Sequence, residues 1–216
     1  MSARLAVFDC DGTLVDGQAD VCDTMEQAFI TAGLAVPDRN QVRRTVGLSL
    51  PVAVRRLDPA IDDDQIGRVV AGYKEIYFGR RSAGLLHQPL YDGIREVLER
   101  LAAAGWLLAV ATGKSDRGLR ACLDEHGIGD MFVSLQTADR HPSKPHPAML
   151  EAALFEAGVA PGQAVMIGDT SFDMAMARDA RVRPMGVAWG YHTPDELREA
   201  GAEAVAADPA NLGELL

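Results

Sequence analysis

The chain has 216 residues, 48% of them hydrophobic and 24% charged, and a formal net charge of −10 at pH 7. These values indicate a globular protein with a sizeable core, built as one domain or as one domain with a smaller insert, and they exclude disordered and fibrous classes. Because nucleic acids and anionic membranes are bound through Lys and Arg, we expect neither nucleic acid nor a membrane as partner.

The first predicted element is a buried strand at the start of the chain. Its apolar run leads into Asp9 and Asp11, spaced by one residue and followed by Gly12 and Thr13, in the segment VFDCDGTLVD (7–16). Two carboxylates this close repel each other and raise each other's pKa unless a cation lies between them. The segment therefore predicts a strand that ends at a cation site.

The next part of the chain, residues 17–85, shows helical patterns only. Turn signals separate four of them: QADVCDTMEQAFITAG, DRNQVRRTVG, PVAVRRL and DDDQIGRVVAGYKEIYFGRR. An all-helical block between the first and second strands predicts a helical cap domain over 17–85, inserted into a core domain made of 1–16 and 86–216.

After this block, apolar runs alternate with helical patterns. The runs lie at 106–115, 131–139, 164–171 and 185–192, and a weaker one lies at 203–208. Capping signals mark the intervening helices, and they are Gly105, Ser115, Gly127, Pro147 and Gly158. This alternation predicts an α/β fold with a Rossmann-like parallel sheet.

Polar residues follow four of the predicted strands. They are Asp9 and Asp11, then Thr112, Gly113 and Lys114, then Lys144, then Asp169 and Asp173. Ligands of such sheets bind outside the carboxyl ends of the strands, so we expect these side chains to share one crevice. Converging carboxylates favour Mg²⁺, while threonine, glycine N–H groups and lysine favour a phosphate. The set predicts a phosphoryl-transfer site in which an aspartate can act as nucleophile.

The segments VFDCDGTLVD, VATGK, SKPHP and IGDTSFDM, in this order, resemble the four motifs of the haloacid dehalogenase superfamily, and the chain as a whole is similar to its phosphoglycolate phosphatase-like branch. The resemblance implies a Rossmann-like core with a helical cap, Mg²⁺ as cofactor and a small phosphorylated metabolite as substrate. It implies that Asp9 is the nucleophile and that Asp11 is the general acid and base, whose backbone carbonyl also binds Mg²⁺.

The same resemblance assigns the remaining site residues. The predicted catalytic residues are Asp9, Asp11, Thr112 and Lys144. The predicted phosphate or substrate ligands are Gly12, Thr112, Gly113, Lys144, Arg44 and Gly47. The predicted metal ligands are Asp9, Asp11, Asp169 and Asp173. Two residues depart from the family pattern, since Gly17 stands where relatives often have serine or threonine and Gly113 where asparagine is common.

Other functions remain open at this point. A β-phosphoglucomutase-like phosphosugar mutase would keep both aspartates, but such enzymes usually carry valine or a similar residue at the position of Thr13. A phosphoacceptor receiver module also combines an acidic Mg²⁺ pocket with threonine and lysine, but it is about half this length. The presence of Asp11 argues against dehalogenases, which lack the second aspartate.

Cysteine and histidine residues give weaker signals. The three cysteines are scattered and form no CxxC pattern, which predicts reduced thiols, and Cys10 is expected to point away from its neighbouring aspartates. His192 and Tyr191 follow a strand and could contact substrate. Without a signal-peptide pattern or an apolar run of roughly 20 residues, we expect a cytoplasmic protein, as a monomer or homodimer.

Overall fold

The computed structural model describes residues 3–216 and contains one six-stranded sheet. Its strands are β1 (Arg4–Phe8), β2 (Trp106–Thr112), β3 (Phe132–Thr137), β4 (Ala164–Gly168), β5 (Arg183–Val187) and β6 (Ala204–Ala206). Their order is β3-β2-β1-β4-β5-β6, and each neighbouring pair is parallel. The predicted α/β fold is confirmed, including the weakest of the predicted strands, β6.

Six helices connect and cover these strands. They are α5 (Ile94–Ala103), α6 (Asp116–Glu125), α7 (Ala148–Ala157), α8 (Ser171–Asp179), α9 (Pro194–Glu199) and α10 (Pro209–Leu215). Alternate residues of β1 face opposite sides of the sheet, as strand geometry requires. Ala6 and Phe8 pack with α5 and α6, whereas Leu5 and Val7 pack with α7 and α8. The sheet is therefore buried on both faces.

The helix ends follow the predicted capping signals. The side chain of Ser115 accepts a 3.1 Å hydrogen bond from the Gly118 N–H at the start of α6, and Gly158 ends α7 with a φ of 65°. The patterns singled out in the sequence did not include α9 and α10. Each spans at most seven residues, which is too short for helical periodicity to be distinctive.

Four further helices lie between β1 and α5 in the chain: α1 (Gln18–Thr31), α2 (Arg39–Arg43), α3 (Leu50–Leu57) and α4 (Asp63–Ser82). They share an apolar cluster of their own, which contains Met25, Phe29, Val42, Val54 and Val69. The predicted all-helical character of this segment is confirmed. Among residues 3–216, none of the helices combines the length and the apolar character that crossing a lipid bilayer requires.

One predicted helix is shorter than its pattern suggested. The pattern at 38–47 is helical only as far as Arg43, and residues 44–47 form turns. The Thr45 hydroxyl donates a 2.8 Å hydrogen bond to the Val42 carbonyl, and Gly47 has a φ of +93°, which a right-handed helix cannot accommodate. We call residues 44–49 the cap turn.

The chain leaves the sheet for the four helices and returns to it along two adjacent segments. Val15 and Leu90 form an isolated antiparallel bridge, and the Asp16 N–H donates a 2.9 Å hydrogen bond to the Pro89 carbonyl. The helical segment is thus attached through a paired connection directly behind the loop that carries Asp9 and Asp11.

Candidate active site

Three buried aspartates form the centre of the site. β1 and β4 are neighbours in the sheet, with Phe8 opposite Ile167, so Asp9 and Asp169 emerge side by side from their strands. Asp173 comes from the first turn of α8. Carboxylate oxygens of these three residues lie within 4.8 Å of one another, and all three residues are fully buried. The structure brings together three of the four predicted metal ligands.

Lys144 lies inside this cluster. Its Nζ atom is 3.0 Å from Oδ1 of Asp9 and 2.6 Å from Oδ1 of Asp173, and its side chain is fully buried. Burial alone would lower the pKa of Lys144, but the charges of Asp173 and Asp9 outweigh it, so the pKa lies above the ordinary value. Lys144 is therefore a fixed ammonium group that holds the two carboxylates together.

One lysine does not balance three carboxylates. Burial, opposed by Lys144 and assisted by Asp173, raises the pKa of Asp9 to about 7. Burial and the charge of Asp9 raise the pKa of Asp169 well above its ordinary value. Oδ2 of Asp9 is buried and has no hydrogen-bond partner in the described part of the chain. The cluster therefore has the charge and a free oxygen ligand that suit a divalent cation.

Asp169 is held by groups from two other loops. The Thr13 hydroxyl donates a 2.9 Å hydrogen bond to its Oδ1, and the Tyr191 N–H donates one of 2.9 Å to its Oδ2. A Cβ atom on Gly12 would lie 2.2 Å from that same Oδ2, so only glycine fits there. Gly12 is thus required by the packing around Asp169, beside any role in phosphate binding.

Asp173 is held by the first turn of its own helix. The Thr170 N–H and hydroxyl donate hydrogen bonds of 3.0 and 2.7 Å to its Oδ2, and the Thr170 side chain in turn caps α8. The sequence interpretation did not assign Thr170 a role. The spacing of Thr170 and Asp173, which is that of a capping box with aspartate in place of glutamate, was the signal that could have found it.

The Asp11 carboxylate lies outside the cluster of three. Its Oδ1 is 2.8 Å from Nζ of Lys114, and both side chains are largely buried. Burial lowers the pKa of Lys114, but the charge of Asp11, together with Tyr77 and the thiols of Cys10 and Cys122, more than offsets it, so the pKa lies well above the ordinary value. Thr112 is buried behind this pair, and its Oγ1 accepts a 3.2 Å hydrogen bond from the Lys114 N–H. Lys114 is a site residue that was absent from the predicted ligands.

The cap turn packs closely against the ends of the strands. A Cβ atom on Gly113 would lie 2.6 Å from the Leu48 carbonyl oxygen and 2.7 Å from that of Gly47. A Cβ atom on Gly47 would in turn lie 3.4 Å from Oγ1 of Thr170 and 3.8 Å from Oδ2 of Asp9. Gly47 and Gly113 therefore do lie at the site, and Gly113 allows the cap turn to make this close contact.

Two polar contacts also join the helical segment to the sheet layer. The Ser49 N–H donates a 2.9 Å hydrogen bond to Oγ of Ser143, and Arg44 forms an ion pair with Glu196 of α9. Arg44 is more than half exposed in this pair. The structure thus does not bring Arg44 to the aspartate cluster, although it does bring Gly47 there.

A cavity of about 90 Å³ lies between the helical segment and the strand ends. Its lining includes Asp11, Gly113 and Lys114 from the strand ends and Gly47 from the cap turn. None of the three clustered aspartates lines this space, but Gly47, which lies beside Asp9, and Asp11 do.

Cys10 and His192 have partners outside the aspartate cluster. Cys10 is buried in the core, where a hydrogen bond with Cys122 and burial raise the pKa of its thiol. Nδ1 of His192 accepts a 3.2 Å hydrogen bond from the Ser171 N–H, and its ring packs against Phe172. The expected orientation of Cys10 is confirmed, and His192 supports the start of α8.

Comparison with known proteins agrees with this geometry. A family model described as "Haloacid dehalogenase-like hydrolase" matches residues 6–187. The chain is 35% identical over 210 residues to "Probable phosphatase IndB" of Dickeya dadantii (strain 3937), covering 93% of this chain and 88% of that protein. It is 30% identical over 212 residues to "Phosphoglycolate phosphatase" of Pseudomonas fluorescens (strain Pf0-1), covering 97% and 78%.

Solved structures show the same fold. The crystal structure of a "predicted phosphoglycolate phosphatase" from Haemophilus somnus 129pt aligns with a TM-score of 0.86 at 25% identity, covering 100% of this chain and 98% of that one. A "predicted phosphatase" from Clostridium acetobutylicum aligns with a TM-score of 0.88 at 22% identity, again covering 100% and 98%. Together with the match of the family model to most of the sequence, these findings show that the chain belongs to the haloacid dehalogenase-like hydrolase family.

Proposed function

We propose that this protein is a Mg²⁺-dependent phosphatase that hydrolyses a small phosphomonoester through an aspartyl phosphate on Asp9. The observation that carries the proposal is the buried cluster of Asp9, Asp169 and Asp173 around Lys144, in which Oδ2 of Asp9 has no partner among the described residues. The names of the relatives, a probable phosphatase and a phosphoglycolate phosphatase, support the same class of reaction.

The donor set fits Mg²⁺, which takes oxygen ligands only and is commonly bound by one or two carboxylates and by substrate phosphate oxygens. Asp9 and Asp169 would bind the ion directly, together with the backbone carbonyl of Asp11, and Asp173 would support its water ligands. When bound, the ion neutralises negative charge on the phosphoryl oxygens and lowers the barrier to attack by a carboxylate.

The side chains of the site then have separate roles in the reaction. One carboxylate oxygen of Asp9 forms a bond to phosphorus while the bond from phosphorus to the ester oxygen breaks, and Asp11, protonated in the substrate complex, gives its proton to the leaving oxygen. Asp11 next removes a proton from water, which attacks phosphorus and releases phosphate from Asp9. Lys144 and Thr112 donate hydrogen bonds to the phosphoryl oxygens throughout.

We also propose that α1–α4 act as a cap domain over residues 17–85. Their separate apolar cluster and the paired connection through Val15 and Leu90 support a unit that moves as one body. Closed over the strand ends, the cap turn would exclude water and macromolecules from Asp9. The expected substrate is therefore a small phosphorylated metabolite.

Phosphate release from an aryl phosphate tests this proposal directly. We expect turnover with Mg²⁺ and none with excess chelator, and we expect the Asp9→Asn variant to lose at least about 10³-fold in kcat. The exposed Asp16, at the end of the same loop, supplies the control Asp16→Asn, which should stay within about twofold of the parent. Equal rates with chelator, or an active Asp9→Asn variant, would contradict the proposal. A phosphosugar isomerised without release of phosphate would indicate a mutase instead.

A further inference from the structure

We infer that the leaving group of the substrate is small, uncharged and largely apolar, in contrast to the carboxylate-bearing leaving group of phosphoglycolate. This inference rests on the proposed phosphatase function and concerns the cavity of about 90 Å³ beside Asp11. The name of one relative points to phosphoglycolate, so the chemistry of this cavity in this chain decides between two classes of substrate.

The position of the cavity identifies which part of a substrate it receives. Asp11, the proposed proton donor to the leaving oxygen, lines it, whereas the cluster of Asp9, Asp169 and Asp173 lies outside the lining within the described chain. A phosphoryl group bound at Asp9 therefore has its ester oxygen near Asp11. The rest of the leaving group then extends into the cavity.

Most of the cavity wall is apolar. Aliphatic and thioether side chains form one part of it, and these are Val21, Met25, Val46, Leu48, Leu50 and Ala53. Aromatic rings form another part, with Tyr73 and Tyr77 stacked at 5.8 Å between centroids and Phe78 edge-on to Tyr77 at 6.0 Å. Such a wall stabilises an apolar group by excluding water from it and offers no compensation for a buried charge.

Most polar side chains of the wall have partners in the substrate-free protein. Asp11 and Lys114 neutralise each other at 2.8 Å, and the Tyr77 hydroxyl donates a 2.8 Å hydrogen bond to Gln88. The hydroxyls of Thr45 and Ser115 take part in hydrogen bonds within their own turns. A carboxylate in this space would compete with Asp11 for the single ammonium group of Lys114 and would add a buried negative charge beside it.

Lys74 is the remaining charged residue of the lining. It lies on the solvent-exposed side of α4, so its ammonium group is hydrated and its attraction for an anion is screened by salt. An exposed cation of this kind gives little energy to a carboxylate inside the cavity. The interior of the cavity therefore selects an uncharged group.

The volume limits the size of that group. A cavity of about 90 Å³ corresponds to the liquid volume of roughly three water molecules. A short branched alkyl group fits this space, whereas a nucleoside is too large for it while the cap turn contacts Gly113. We therefore expect monoesters of small apolar alcohols to be the better substrates.

The test compares shape-matched esters of primary alcohols, for which the specificity constant kcat/KM is measured with Mg²⁺. Isobutyl phosphate has the shape of 2-phosphoglycolate with methyl groups in place of the carboxylate oxygens. In the second pair, 3-methylbutyl phosphate is matched in the same way with 3-(phosphonooxy)propanoate. We expect each uncharged ester to be preferred by about 100-fold. A preference for the carboxylated member of both pairs would overturn the inference and leave the phosphatase intact. No turnover of any ester would refute the phosphatase itself.

Variants of the wall locate the cause of the preference. Leu50→Lys places a cation in the wall and should shift the ratio of the two specificity constants toward the carboxylated ester by at least about tenfold. Lys74→Met should change that ratio by less than about threefold, as should Arg68→Met, which alters an exposed residue of α4 outside the cavity lining. A selective loss of 2-phosphoglycolate turnover in Lys74→Met alone would show that Lys74 binds the carboxylate and would contradict the inference.

Discussion

The hydroxyl of Thr13 donates a 2.9 Å hydrogen bond to Oδ1 of Asp169, and through it the loop after β1 fixes the orientation of a carboxylate that follows β4. Both residues are fully buried. The hydrogen bond leaves Asp169 in a defined position relative to Asp9, so Thr13 acts on the proposed metal site through a ligand and not by direct contact.

Replacing Thr13 by valine should therefore weaken Mg²⁺ binding. Valine keeps the shape but removes the donor to Asp169, and losing such a support typically costs about 10–100-fold in metal affinity. Titration of activity and of thermal stability with Mg²⁺ measures the loss of affinity. Thr13→Ser keeps the hydroxyl donor and should restore the affinity. The control is Thr24→Val, because the buried Thr24 hydroxyl has no hydrogen-bond partner among the described residues. Equal Mg²⁺ affinity in Thr13→Val and the parent would contradict this role.

Replacing Lys144 by methionine should destabilise the protein most strongly when Mg²⁺ is absent. The substitution leaves Asp9 and Asp173 buried without their cation, and breaking a buried ion pair in this way costs about 3–5 kcal/mol. Urea unfolding of the parent and the variant, with chelator and with Mg²⁺, measures this loss of stability. The loss should be smaller when Mg²⁺ is present. Lys74→Met removes an exposed lysine and should change the free energy of unfolding by less than about 0.5 kcal/mol. Similar unfolding curves for the two variants would refute the prediction.

Gly113→Ala should reduce activity more than stability. A Cβ atom at this position would lie 2.6 Å from the Leu48 carbonyl oxygen, so the cap turn must move away from the strand ends. A displacement of about 1 Å lowers kcat/KM by up to about 100-fold. The matched change Gly67→Ala meets no atom within 4 Å and lies inside α4, where alanine should stabilise the protein by about 0.5–1 kcal/mol. Full activity of Gly113→Ala would show that the cap-turn contact is dispensable.

The Arg44–Glu196 pair should contribute little and should be independent of pH near neutrality. Hydrogen bonds from Arg44 and from Thr193 lower the pKa of Glu196 from 4.5 to about 2. Since the folded-state pKa is the lower one, the stabilisation is complete above about pH 4.5 and is lost as the pH falls toward 2. A double-mutant cycle with Arg44→Met and Glu196→Gln should give a coupling energy below about 1 kcal/mol that falls with added salt. A larger, salt-independent coupling would contradict this view.

Local patterns in the sequence were sufficient for most of the fold. The apolar runs predicted β1–β6, and capping residues such as Ser115 and Gly158 predicted helix boundaries that the structure confirms. The convergence of Asp9, Asp169 and Lys144 also followed, because the carboxyl ends of parallel strands necessarily meet at one edge of the sheet. These features depend on periodicity and on chain direction, both of which can be read from neighbouring residues.

The contacts between distant segments required the tertiary structure. Only the structure shows that Asp11 pairs with Lys114 and not with the aspartate cluster, that Arg44 pairs with Glu196, and that Gly113 contacts Leu48. It also shows that the helix expected over 38–47 ends at Arg43. These outcomes follow from how the helical segment docks on the strand ends, since burial and long-range packing decide which partner a charged side chain meets, and neither is encoded in local periodicity.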